Sequence, residues 1–112
     1  LEEAGAIILA HPVYWFTINA QTKLFLDRWY AFGSDEYQCF KNKKIGLILT
    51  YADQDVFTSG AVNALRAYQD IFSYLGAEIS GMVYTTAAGP GCVKKNKPAL
   101  KEAYTLGRKL VS

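Results

Sequence analysis

Two short apolar runs constrain this chain more than anything else in it: Ala4–Ala10 (AGAIILA) and Ile45–Tyr51 (IGLILTY). A strand with one face in water alternates apolar and polar residues, whereas a continuous apolar run needs cover on both faces. Strands of that kind belong to parallel sheets with helical crossovers on either side. The intervening sequence has the matching period. From Thr17 onward, Ile18, Phe25, Trp29 and Phe32 recur at helical spacing, with Lys23 and Asp27 one turn apart on the opposite face. Thr17 or Asn19 can cap this helix and Gly33 can end it. After the second run, Ser59 can cap a helix whose inward stripe is Ala61, Leu65, Tyr68, Phe72 and Leu75, with Gly76 as a left-handed terminator.

A third strand, Ile79–Tyr84, is made more polar by Glu78, Ser80 and Gly81 around and within it, and reads as a sheet edge. Asn96 and Pro98 then open a last helix, with Leu100, Ala103, Tyr104, Gly107 and Leu110 inward. Strand followed by helix, three times over, predicts an α/β fold with right-handed crossovers and a parallel sheet. The 112 residues suit one domain. If sheet order follows chain order, the apolar strand Ala4–Ala10 lies at an edge, where exposed backbone invites pairing. Another chain would pair there, or strands would precede it. The first residue is Leu1 and the only methionine is Met82, so the expectation is an N-terminally truncated domain.

Charge and composition narrow the function. A net charge of +2 is too small to argue for nucleic acid. The basic clusters Lys41–Lys44 and Lys94–Lys97 read as solvated loops. Cys39 and Cys92 stand in no metal or redox spacing, which makes a reduced, cytoplasmic protein the default. No apolar stretch is long enough to cross a bilayer, because His11 and Pro12 interrupt the best candidate.

Chemistry in open parallel sheets gathers outside the carboxyl ends of the strands. Three segments fall there: His11–Phe16, Ala52–Ser59 and Thr85–Lys97. In the first, Pro12 is expected to stop the strand at His11, so that the Val13–Phe16 backbone crosses the strand ends with free amides. Tyr14, Trp15 and Phe16 add flat apolar faces. Rings beside unpaired amides suit a planar heteroaromatic with a polar rim, such as a flavin, whereas a phosphate would want glycines and a helix N-terminus. The competing reading is that the three rings plug a corner of the core, or serve a dimer contact. His11, the only histidine, has no nucleophile or orienting carboxylate in view and reads as a strand-end residue. Asp53 and Asp55 read as turn formers, Ala88–Gly91 as a flexible loop or the border of a substrate site, and Asp27 with Arg28 as a structural ion pair. No catalytic side chain and no metal ligand is nominated.

The run AIILAHPVYWFTINAQTKLFLDRWY resembles the central segment of the NADPH-dependent FMN reductase family of the flavodoxin-like superfamily. That family shows a strand, then Ser/Thr-Pro-Val-Tyr-Trp, then a helix with Lys and Asp-Arg, here Lys23, Asp27 and Arg28. The likeness continues through KKIGLILTYADQDVFTSGAVNALRAYQDIFSYLGAEISGMVY. It implies a three-layer sheet of order 2-1-3-4-5, of which this chain carries the third, fourth and fifth strands. It also implies FMN as cofactor, with His11, Pro12, Val13, Tyr14, Trp15 and Phe16 around the ring and Tyr51, Ala52 and Asp53 approaching from the next loop.

On that resemblance, NADPH or NADH reduces the flavin, and electrons pass to a small acceptor such as a flavin or quinone. A homodimer or higher oligomer is expected. Two departures stand out: the family's phosphate loop is absent from residues 1–112, and His11 occupies a position where Ser or Thr is usual. The alternatives are a non-enzymatic flavodoxin-type electron carrier, or a half-domain that binds no cofactor and pairs through its exposed strand.

Overall fold

A computed structural model describes all residues, Leu1–Ser112. Its sheet is built on three parallel strands, β1 (Ala6–Tyr14), β3 (Lys44–Tyr51) and β4 (Glu78–Thr86). A two-residue strand, β2 (Thr17–Ile18), turns back antiparallel on the end of β1, giving the order β2-β1-β3-β4. The α/β architecture follows the alternation of apolar runs and helical stripes, with β4 at one margin as its polar residues imply. β1 lies at the other, bordered on its outer side only by β2 at Val13 and Tyr14.

Ile45, Leu47 and Leu49 point to one face of β3 and are fully buried. They meet Tyr68 and Phe72 of helix α3 (Ala61–Leu75), together with Leu9, Trp29 and Phe40. Trp29 stacks at a tilt on Phe40, with centroids 4.7 Å apart, and lies 5.9 Å from Phe72. The indole Nε1 of Trp29 is buried with no partner among the protein atoms, an arrangement nothing else in the structure explains. Gly76 closes α3 in the left-handed region at φ 75°, where its missing Cβ removes the steric cost.

The opposite face is covered by α4 (Lys97–Leu110), which is capped by the Asn96 side chain accepting from the Ala99 amide at 3.1 Å. Its inward residues are Ala99, Leu106 and Leu110; Leu100 and Tyr104, expected inside, face solvent. The reason lies in the sheet. Gly46 and Gly81 are register partners, and a Cβ on either would press on Leu110 or Leu106. This glycine notch takes the two leucines and sets the rotation of the helix. Just before it, Ser80 is the extra residue of a β-bulge, and its carbonyl accepts from Lys109 Nζ at 2.7 Å.

α4 rests chiefly on β3 and β4, and Ala6 is the residue of β1 that packs against its leucines and Val83. Ile8 is therefore 47% exposed, and Ala10 is open too, so the expected cover on both faces of the first run exists on one. Helix α1 (Ala20–Asp27) is capped by Asn19, and Lys23 pairs with Asp27 at 2.6 Å, so Asp27 does not pair with Arg28. At Arg28 the winding tightens to a 3-10 helix that runs through Gly33 to Asp35, so Gly33 is not the terminator. The change of pitch buries Leu26 and Trp29 and leaves Phe25 exposed. Lys43 also departs from expectation. It is buried, and its ammonium donates to the carbonyls of Glu2, at 3.1 Å, and Ala4, which fastens the N-terminal segment to the start of β3.

Candidate functional site

β1 does not stop at His11. It continues through Pro12, register partner of Thr50, to Tyr14. A proline is tolerated in a strand at a sheet margin, where its missing N–H deprives no neighbouring strand of a bond. Val13 and Tyr14 then pair with Ile18 and Thr17, so this backbone forms a hairpin instead of a free crossing segment. The two residues at its tip are Trp15 and Phe16, both at positive φ, 49° and 67°. Tight hairpins that need positive φ at both positions ordinarily use Asn-Gly. A side chain with Cβ costs roughly 1–2 kcal/mol per residue there.

Long-range contacts hold this conformation. Asn63 Nδ2 on α3 donates to the Phe16 carbonyl at 2.9 Å. Gly60, itself left-handed at φ 81°, lies so close that any Cβ would run into the Phe16 backbone. Gly60 separates α3 from the short helix α2 (Val56–Ser59), which Asp55 caps by accepting from the Phe57 and Thr58 amides at 2.8 Å. Those bonds hold the Asp55 carboxyl below its ordinary range. Ser59, expected as the cap, accepts from the Ala61 amide at 3.1 Å and so serves the start of α3.

The rings do not plug the core. Trp15 is 91% exposed, Tyr14 59% and Phe16 52%. They stand between two openings at the carboxyl ends of the strands. A crevice of about 530 Å³ is lined by Pro12, Val13, Tyr14, Thr50, Tyr51 and Ala52 on one wall, and by Ala87–Pro90 and Val93 on the other. A smaller hollow of about 230 Å³ lies against Trp15 and Phe16, with Asp53 and Ser59 opposite. Tyr51, Ala52 and Val13 border both. Burial first, and then the nearby Tyr84 phenol and Asp55 carboxylate, push the Tyr51 hydroxyl up, so it remains a protonated donor at neutral pH. The wall from Ala87 to Pro90, which periodicity alone leaves as an unassigned loop, is anchored behind by Asn96 Nδ2 donating to Thr85 Oγ1 at 2.8 Å.

His11 is placed apart from the other eight nominated residues. Its side chain turns inward, 7% exposed, with Nε2 2.5 Å from the Tyr68 hydroxyl and Nδ1 2.8 Å from the Pro12 carbonyl. Burial lowers its affinity for a proton, offset in part by the bond to Pro12. The unfolded chain therefore takes up more protons as pH falls through about 6.5. The stability tied to neutral His11 is complete above that pH and is lost as pH falls toward the folded value. Thermal melts should show the melting temperature declining between pH 7 and 5.5, with a flatter profile in His11→Asn. An equal decline in the variant would assign the effect elsewhere.

A larger groove of about 690 Å³ lies away from the strand ends, between α1, the 3-10 segment and α3, lined mostly by apolar side chains including Leu26, Tyr30, Ile71 and Tyr74. It offers none of the strand-end backbone that makes the crevice chemically distinctive. No helix is long and apolar enough to cross a membrane.

A family model described as a flavodoxin-like fold matches residues 1–106. A Bacillus subtilis (strain 168) protein, YwqN, provisionally named an NAD(P)H-dependent FMN-containing oxidoreductase, is 27% identical over 104 residues, covering 89% of this chain and 57% of its own length. An iron-sulfur flavoprotein from Archaeoglobus fulgidus is 42% identical over 52 residues, 46% of this chain and 23% of that one. Among solved structures, the Trp repressor binding protein of Bacillus subtilis superposes with a TM-score of 0.83 at 26% identity, covering 94% of this chain and 66% of that chain. General stress protein 14 of Treponema denticola, solved in complex with FMN, superposes at 0.66 and 22% identity over 96% of this chain and 67% of its own, a likeness of fold. The chain thus spans little more than half the length of its first curated relative.

Proposed function

This chain belongs to the flavodoxin-like fold family, and from that membership we propose that its strand-end crevice holds the isoalloxazine ring of FMN, in an oxidoreductase that draws electrons from NADH or NADPH. The observation that carries this reading is the exposed aromatic hairpin standing beside an apolar crevice at the carboxyl ends of β1 and β3. The residues present fit a flat ring with a polar rim: apolar walls from Val13, Ala52 and Ala87–Pro90, a neutral hydroxyl donor at Tyr51, and strand-end backbone. When bound, such a group supplies hydride acceptance and onward electron transfer to a small acceptor. Pro12, Val13 and Tyr14 would border it on one side and Ala52 on the next loop. Trp15 would offer its face at the rim, and the Ala87–Pro90 wall would limit water. No side chain here is poised as an acid or base, in keeping with chemistry carried by a cofactor.

Residues 1–112 carry, on this reading, the ring-binding portion of the site, as the resemblance assigns the phosphate to a loop outside them. Titrating the 112-residue chain with riboflavin and with FMN, read by flavin fluorescence, tests this. The two should bind within about threefold of each other, since the terminal phosphate adds little. Trp15→Ala should weaken both by roughly tenfold, the loss of about 1.4 kcal/mol of stacking, with the melting temperature nearly unchanged. No flavin binding, or binding indifferent to Trp15, overturns the proposal.

A further inference from the structure

The buried imidazole of His11 is tied on both sides, and its partners dictate where its proton sits. A carbonyl can only accept, so the 2.8 Å contact with the Pro12 oxygen requires a proton on Nδ1. A neutral imidazole carries one N–H, which leaves Nε2 as an acceptor, and the Tyr68 hydroxyl at 2.5 Å must donate to it. The chain of donation therefore runs from Tyr68 Oη–H to His11 Nε2, and from His11 Nδ1–H to the Pro12 carbonyl. Tyr68 is fully buried at the middle of α3, 5.8 Å from His11 between ring centroids and stacked on Phe72 at 6.0 Å. This makes it a fixed origin. The other end of the relay is the Pro12–Val13 peptide, the last unit of β1 before the hairpin and part of the crevice wall.

We propose that His11, oriented by Tyr68, is a positioning residue that locks the Pro12–Val13 peptide and through it the aromatic hairpin at the rim of the crevice. The peptide is planar, so fixing its carbonyl also fixes the direction of the Val13 N–H and the exit path of the chain. Without the Nδ1–H bond, that carbonyl would lie at a sheet margin bordered only by the two-residue strand β2. As far as it concerns a ligand, this inference rests on the flavin reading above; as far as it concerns the hairpin, it does not.

The test uses the full chain, and the presence of a single histidine makes it unambiguous. Long-range proton–nitrogen correlation spectra of the nitrogen-15-labelled protein at neutral pH should show Nδ1 protonated and Nε2 bare, the less common tautomer. Tyr68→Phe keeps the ring and its stacking but removes the donor. It should shift His11 toward the Nε2–H tautomer and move the amide resonances of Val13–Thr17, while signals from α4 stay in place. His11→Asn can still donate from near the Nδ1 position, whereas His11→Gln reaches Tyr68 but not Pro12. Riboflavin affinity should stay within about threefold in the Asn variant and fall about tenfold in the Gln variant, at comparable melting temperatures. A protein with Nε2 protonated, or hairpin amides unmoved in Tyr68→Phe, overturns the relay whatever flavin does. If affinities simply follow melting temperature across the variants, His11 is structural only. If the wild type binds no flavin while tautomer and hairpin respond as stated, the flavin reading falls and the relay stands.

Discussion

Replacing Trp15-Phe16 by Asn-Gly should make this protein more stable and at the same time less able to bind a flavin. Both residues sit in the left-handed region, at φ 49° and 67°, where glycine is free of strain and asparagine nearly so. At roughly 1–2 kcal/mol per strained residue, the gross relief is about 2–4 kcal/mol. Part of it is lost because Phe16 is only half exposed and gives up its packing near Gly60. A net gain of about 1–2 kcal/mol remains, which at this chain length corresponds to roughly 4–8 °C in melting temperature. Trp15, almost wholly in solvent, contributes little to the fold, and its removal should not offset the gain. Strain kept in place by Asn63 and Gly60, with two large rings held in the open, is what a binding element would show. Scanning calorimetry and riboflavin titration of the double variant measure the two effects side by side. A melting temperature that drops would mean that the rings stabilise the fold and that the turn carries no strain to relieve.

Phe72→Ala should be the most damaging single change. Phe72 is fully buried on α3, stacked on Tyr68 at 6.0 Å and tilted against Trp29 at 5.9 Å, beneath Ile45, Leu47 and Leu49. Truncating a buried phenylalanine costs about 3–5 kcal/mol, the sum of lost transfer energy and an unfilled cavity. A domain of this size holds only about 5–15 kcal/mol in total, so about a fifth or more of its stability goes. Because Trp29 and Tyr68 lose a common neighbour, urea unfolding followed by tryptophan emission should show the midpoint moving sharply lower. Phe72→Leu, which fills most of the volume, should cost less than half as much. Equal losses in the two variants would argue that ring stacking, and not volume, holds this corner.

The strands and most helix boundaries were legible because their signals are local. The apolar run of β3, a capping asparagine at Asn19 or Asn96, and a terminating glycine at Gly76 are each marked by a short stretch of chain, and each sits where its chemistry demands. The fate of the aromatic segment was not legible in the same way. Local preference opposes positive φ at tryptophan and phenylalanine, and the groups that impose it lie some 45 residues away, on α3 and just before it. The choice between two apolar stripes on α4 was equally nonlocal. Both stripes have helical spacing and share Leu110, and the notch at Gly46 and Gly81 turned Leu106 inward in place of Leu100 and Tyr104. Lys43 read as one more surface lysine, since nothing near it in sequence marks the carbonyls of Glu2 and Ala4 as its partners.

By itself, then, the order of residues determined an α/β chain of three parallel strands with β4 at an edge, and placed an unusual concentration of rings at the carboxyl end of the first strand. Those properties depend on periodicity and on backbone preferences that every short segment carries with it. Whether the rings would be buried or presented, that Pro12 would lie within a strand, and that His11 would turn inward to Tyr68 were decided only by tertiary structure. Each depends on which distant surface arrives alongside, and a side chain takes its partner from whatever the folded sheet and helices bring within reach.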